Sequence, residues 1–150
     1  MTDLTSRIGQ LEDREAIRDL ANRYAHHVWQ GEPLKAVELF ARDGEMDMGE
    51  GGVIKGRDAL RAIYSDKVGG EMMLHPFVHN HLIDLNGDSA TGICYLDLRC
   101  TRDGESLMGS GYYDDVYVRE EGSWRFQSRK LNMCYLVPPT AGWTQEGEGL

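Results

Sequence analysis

Three histidines fall within seven residues, His75, His79 and His81. An imidazole titrates near neutrality, so it can take a proton and return it at working pH. His75 stands just before a run that reads as a strand and is the candidate acid/base. On a strand, His79 and His81 would share a face, a spacing that suits metal ligation. No HExxH is present and no third ligand can be assigned, so no metal site is expected from this spacing. Cys94 reads as a small buried apolar residue rather than a nucleophile.

These residues sit in a chain of 150 with a net charge of −9. One domain is expected, spanning residues 1–136, followed by an irregular tail over 137–150 that is rich in Gly and acidic residues and that Trp143 could anchor. The longest basic run is Arg129-Lys130, which disfavours nucleic acid and anionic membrane surfaces. No segment approaches the length of a membrane span. The polar start Met1-Thr2-Asp3 does not read as a secretory signal. The cysteines Cys94, Cys100 and Cys134 are odd in number and irregular in spacing, a poor disulfide framework. A reducing cytoplasm is the expected location.

The elements that must position the candidates change type near residue 72. Ile17, Leu20, Ala21, Tyr24 and Val28 form one helical apolar stripe. Gly31 ends that helix, and Pro33 suits the first turn of a second over Leu34 to Phe40, stopped near Asp43-Gly44. Met46 to Ile54 reads as a short hairpin. A third helix carries Leu60, Ile63 and Tyr64, with Asp58 as its cap. Then come four β-rich runs, Val78–Leu85, Ala90–Arg99, Leu107–Val118 and Trp124–Leu136, joined by the turns at Gly87, Gly104 and Gly122. Helices first and a strand meander after give an α+β layout. Alternation puts Gly111, Tyr113, Asp115 and Tyr117 on one face, and Cys94, Leu96 and Leu98 on the interior of the preceding strand. Tyr95, Asp97 and Arg99 would face outward.

Three motifs in this order carry a resemblance. The first is AIRDLANRY over Ala16–Tyr24, followed by Gly31, Leu39-Phe40-Ala41 and Asp43. The second is HPFVHN over His75–Asn80, running into LIDLNGD over Leu82–Asp88. The third is GYYDD over Gly111–Asp115, with GSWRF over Gly122–Phe126 and Arg129. Across residues 8 to 136 the chain resembles the SnoaL-like branch of the nuclear transport factor 2 superfamily, which includes dehydratases, a dehydrochlorinase and ketosteroid isomerases. The resemblance implies a cone-shaped fold, with N-terminal helices packed on a curved antiparallel sheet. It also implies a cofactor-independent lyase or isomerase, in which a base removes a proton while donors stabilise the developing charge.

Residue by residue, the resemblance implies His75 as the catalytic histidine. The carboxylate that orients it in those relatives is replaced here by Trp29. Tyr24 matches the oxyanion tyrosine of the isomerases, and Asp115 lies near their second donor, an acid held neutral. Asp115 reads equally as an ion-pair partner of Arg129 or Arg125. Trp29, Tyr113, His79, Cys94 and Leu96 are the expected substrate contacts, with Gly111 leaving room for ligand. The expected partner is a small, largely apolar organic molecule, and a homodimer is expected through the outer sheet face. The alternatives are a non-catalytic ligand-binding or scaffold protein of the same fold, or a ring-dioxygenase small subunit, for which the chain looks short.

Overall fold

The computed structural model describes residues 3–70 and 72–144. Helix α1 (Leu4–Trp29) starts where the Asp3 carboxylate accepts the Ser6 N–H at 2.7 Å, an N-cap that satisfies one orphan amide. Its buried stripe is Ile17, Leu20, Ala21, Tyr24, Ala25 and Val28. Gly31 ends the run at φ +66, a conformation glycine adopts without strain. Helix α2 (Pro33–Val37) has its proline in the first turn. Strand β1 (Phe40–Asp47) follows at once, and then β2 (Val53–Lys55), α3 (Arg57–Lys67), β3 (Leu74–Asn86), β4 (Ser89–Arg102), β5 (Glu105–Glu120) and β6 (Ser123–Val137).

The six strands form one curved sheet in the order β2-β1-β6-β5-β4-β3. The meander from β3 to β6 is antiparallel, with its turns at the three expected glycines. The sheet is nonetheless mixed, because β1 pairs parallel with β6. The second helix stops at Val37, short of the expected Phe40. Phe40, Ala41, Gly44 and Met46 are drawn into β1 by burial against β6. At Gly44 a Cβ would lie 2.8 Å from the Phe126 carbonyl oxygen, so the strands come together only with glycine there. The expected hairpin exists where β1 meets β2, pairing Glu45–Asp47 with Val53–Lys55, while β1 itself extends back to Phe40 along β6. The cap of α3 is Gly56; Asp58 lies inside the first turn and pairs with Arg61 at 2.8 Å.

Strand β3 begins at Leu74, four residues before the expected Val78, and runs through Pro76. A proline is tolerated because β3 is a sheet edge. Helix α1 lies across the concave face, and the core gathers between its stripe, α3 and the inner residues of β4 to β6. No helix among the described residues is long and apolar enough to cross a membrane.

Candidate functional site

Where α1, α3 and the sheet converge, an inner cavity of about 210 Å³ remains unfilled. The hydroxyl-bearing part of its wall is Tyr24 from α1, Tyr64 from α3 and Tyr113 from β5. Strands β3 and β4 contribute Leu74, Pro76, Leu96 and Leu98, and Met46 and Met48 come from the β1 side. Lys67 is the charged residue on this wall. An outer chamber of about 470 Å³ adjoins it, with Met48, Met72, Leu74, Leu98 and Leu131 belonging to both.

The Tyr24 and Tyr64 hydroxyls are 2.7 Å apart. One donates to the other, which leaves a single O–H free to donate elsewhere. Burial pushes all three tyrosines well above the ordinary phenol range. They stay protonated at working pH and serve as hydrogen-bond donors, not bases.

Behind this tyrosine floor lies a buried ion pair. Arg129 is fully buried and Asp115 almost so. Asp115 Oδ1 accepts from Arg129 Nε, and Oδ2 accepts from Arg129 Nη2, each at 2.9 Å. Oδ2 also accepts from the Tyr117 hydroxyl at 2.8 Å, and that hydroxyl is 2.7 Å from His81 Nε2. Burial is the largest influence on the Arg129 pKa and lowers it, but the Asp115 charge and hydrogen bonds, with Tyr113 and Tyr24, together outweigh it and hold the guanidinium protonated. The guanidinium carbon is 3.7 Å from the Tyr113 ring centre, 4.2 Å from Phe126 and 4.6 Å from Tyr24. This is a cation held against three ring faces, an attractive arrangement in a desolvated site. Its Nη1 has no hydrogen-bond partner.

The expected site residues therefore separate into two groups. Tyr24, Tyr113 and Leu96 meet in the inner cavity. Asp115 does not act there as a neutral donor: both its oxygens accept hydrogen bonds, and its partner is Arg129, one of the two the sequence offered. His75 turns away from the cavity. Alternation along β3 sends Leu74 and Pro76 inward, and His75 stacks flat on Trp29 with ring centres 3.6 Å apart. Trp29 is itself 37 % exposed, with its indole N–H satisfied by the Pro76 carbonyl at 2.6 Å. His79 is also outside, 3.0 Å from the Asp97 carboxylate. Cys94 is buried but borders a small hollow with Arg18 and His81, and burial pushes its thiol up to about 11. Gly111 makes no room for ligand either. A Cβ there would fall 2.1 Å from the Asn132 carbonyl oxygen, so its bareness serves the close approach of β6 at a bulge.

Tyr64 was readable only as a stripe residue of α3, and nothing in the sequence aimed it at Tyr24. The cavity positions of Met46, Met48 and Leu131 follow from β1 pairing with β6, a long-range contact with no local signal. As for metals, His79 and His81 do not converge, since each is bound to a different partner. Among the described residues, His26, His27 and Glu32 bring ligand atoms within 4.8 Å of one another at the end of α1, where Glu32 is already paired with Lys35.

Solved structures with this architecture are numerous. An NTF2-like protein with a cystatin-like fold from Novosphingobium aromaticivorans superposes with a TM-score of 0.72 at 26 % identity, covering 89 % of this chain and 91 % of that one. A second protein from that organism, provisionally assigned as a scytalone dehydratase, gives 0.78 at 20 % identity over 93 % and 92 % of the two chains. A hexachlorocyclohexane dehydrochlorinase also gives 0.78 at 20 % identity, over 97 % of each chain. At that identity the likeness establishes fold and not reaction. No curated protein sequence matches. Residues 9–130, running from α1 to the far side of the tyrosine floor, match the SnoaL-like domain, and the chain belongs to the SnoaL-like family.

Proposed function

We propose that the protein binds a small, mostly apolar organic molecule in the inner cavity, with a carbonyl or hydroxyl oxygen directed to the Tyr24–Tyr64 pair. The observation that carries this reading is the composition of the wall: three protonated tyrosines in an otherwise apolar enclosure, with Lys67 as its other titratable residue. A few placed donors in an apolar cavity fix the orientation of a ligand. At about 210 Å³ the cavity is smaller than the ~300–1,000 Å³ of drug-sized sites, so its occupant is ring-sized. In this reading the chain is a cofactor-independent binding protein.

A lyase or isomerase is the second reading, supported by the paired donors and by the family. Donors aimed at a developing oxyanion are the largest single contribution in such sites. The described wall holds neither carboxylate nor imidazole, so the base is what this reading lacks. His75 would have to leave its stack on Trp29 to supply it.

Binding of 2-naphthol and 2-methylnaphthalene by calorimetry tests the first reading. Tyr24→Phe should weaken 2-naphthol about fivefold, the value of one hydrogen bond near 1 kcal/mol, and leave methylnaphthalene unchanged. Failure of wild type to bind either would refute it. Turnover of cyclic ketones or dehydratable alcohols, abolished in His75→Ala with the fold intact, would move the second reading ahead.

A further inference from the structure

The end of helix α1 carries a cluster that the inner cavity does not use. His26 and His27 stand in its last turn, and Glu32 follows the Gly31 turn at the start of α2. One ligand atom from each lies within 4.8 Å of the others. His27 Nδ1 is 3.3 Å from Glu32 Oε1. Tetrahedral zinc, with bonds of about 2.0–2.2 Å to nitrogen and oxygen, holds its ligand atoms about 3.3–3.6 Å apart. Two of the three therefore already stand at the required separation. His26 is exposed, and its ring closes the rest, at most about 1.5 Å, by turning about its side-chain bonds.

The backbone holds this arrangement in place. The Glu32 N–H donates to the His27 carbonyl at 2.9 Å, which ties both residues to one turn. A Cβ at Gly69 would lie 2.9 Å from the Gly31 carbonyl oxygen, so that turn rests directly on the backbone after α3. Glu32 occupies the cap position of α2 without making a side-chain capping bond. Lys35 holds its Oε2 at 2.5 Å and, with a smaller contribution from His27, keeps the carboxylate ionised. Oε1 is left to His27. Arg23, one turn before the histidines, is paired with Asp19 at 2.5 Å. The C-terminal end of a helix is itself negative, which favours a cation there.

We infer that His26, His27 and Glu32 form a site for a divalent cation of the zinc class, in which the ion takes the place of the proton between His27 Nδ1 and Glu32 Oε1. Two imidazoles and one carboxylate suit zinc, and the fourth position is left to water. The ion would join the last turn of α1 to the first of α2 and staple the two helices, releasing the His27 proton as it binds. Lys35 competes with it for the carboxylate. None of the three ligands lines the inner cavity, so the site goes beyond the binding reading and stands whether or not that reading holds.

Titration of the metal-free protein with zinc chloride by calorimetry tests this. One ion should bind, and His26→Ala, His27→Ala and Glu32→Gln should each weaken it by at least the ~10-fold that loss of even an outer partner costs a metal site. Lys35→Gln should act in the opposite sense and tighten binding about threefold, since it removes the competing cation. The controls His75→Ala/His79→Ala and Cys134→Ser should leave the affinity unchanged. Zinc at about a hundredfold over its Kd should raise the Tm of the wild type by roughly 5–10 °C, and the same concentration should not raise that of His27→Ala. Absence of binding up to about 1 mM zinc overturns the site. So does binding that survives all three ligand variants and is lost instead with His79 or Cys134. Weaker binding in Lys35→Gln would overturn the assignment of Glu32 Oε1 as a ligand held in competition.

Discussion

Replacing Asp115 by asparagine keeps the shape of the buried pair and removes its negative charge. Arg129 would then be a cation with no exposure, one nitrogen already unpartnered, and only ring faces and a neutral amide around it. Breaking a buried pair from one side costs about 3–5 kcal/mol. At about 2–4 °C per kcal/mol for a chain of this length, Tm should fall by roughly 6–20 °C. The double variant Asp115→Leu/Arg129→Met removes both charges and fills similar volume, and apolar replacement of such a pair is often neutral. Tyr117 loses its acceptor in that variant but keeps His81 Nε2 at 2.7 Å. The double variant should therefore be more stable than Asp115→Asn alone. Urea unfolding of wild type, Asp115→Leu, Arg129→Met and the double closes the cycle, with Asp115→Asn measured beside them. A cost below about 1 kcal/mol for Asp115→Asn, or a double variant no more stable than the single, would refute the account of the pair as a mutually dependent unit.

Three other outcomes are expected. Burial, with the charges of Arg129 and Arg18, lowers the His81 pKa below its ordinary 6.5, against the pull of Asp115. The unfolded chain therefore binds more protons just below pH 6.5, so this contribution is present above that pH and lost as pH falls; His81→Gln should flatten the stability–pH curve in that window, measured by urea midpoints. Gly111→Ala puts a methyl 2.1 Å from the Asn132 oxygen and should cost at least the ~1–3 kcal/mol of overpacking, seen in a thermal melt. His75→Ala should leave 2-naphthol affinity within about twofold, the shift expected of a residue outside the cavity; a larger loss would mean that the cavity extends past Pro76.

The meander was legible because its strands are consecutive and each turn carries a glycine at positive φ, a local signal. Tyr24, Tyr113 and Leu96 were legible because helical period and strand alternation both point to one interior. Phe40–Asp47 was not, since Leu34, Val37 and Phe40 continue a helical stripe and only the distant strand β6 makes the last of them extended. The outward position of His75 was not legible for a related reason. In a strand a single residue decides the face, and Pro76 took the inward position. Arg129 was visible as a partner for Asp115, but the pattern gave no sign that the pair would be sealed under three aromatic rings.

Arg129 does not line the inner cavity, yet its charge lies against the rings of Tyr24 and Tyr113 and opposes the rise in their phenol pKa. It strengthens the floor's donors from behind. The same side chain anchors the core, so a variant that weakens donor strength by this route is first a poorly folded protein. Sequence drift that respects folding is thereby steered to the cavity wall: Met46, Pro76 or Leu98 can exchange and alter which molecule fits, while the polarity of the floor stays with the scaffold. In such an arrangement new ligand preference arises on a constant electrostatic background, and the means of polarising an oxygen outlasts any particular compound that carries one.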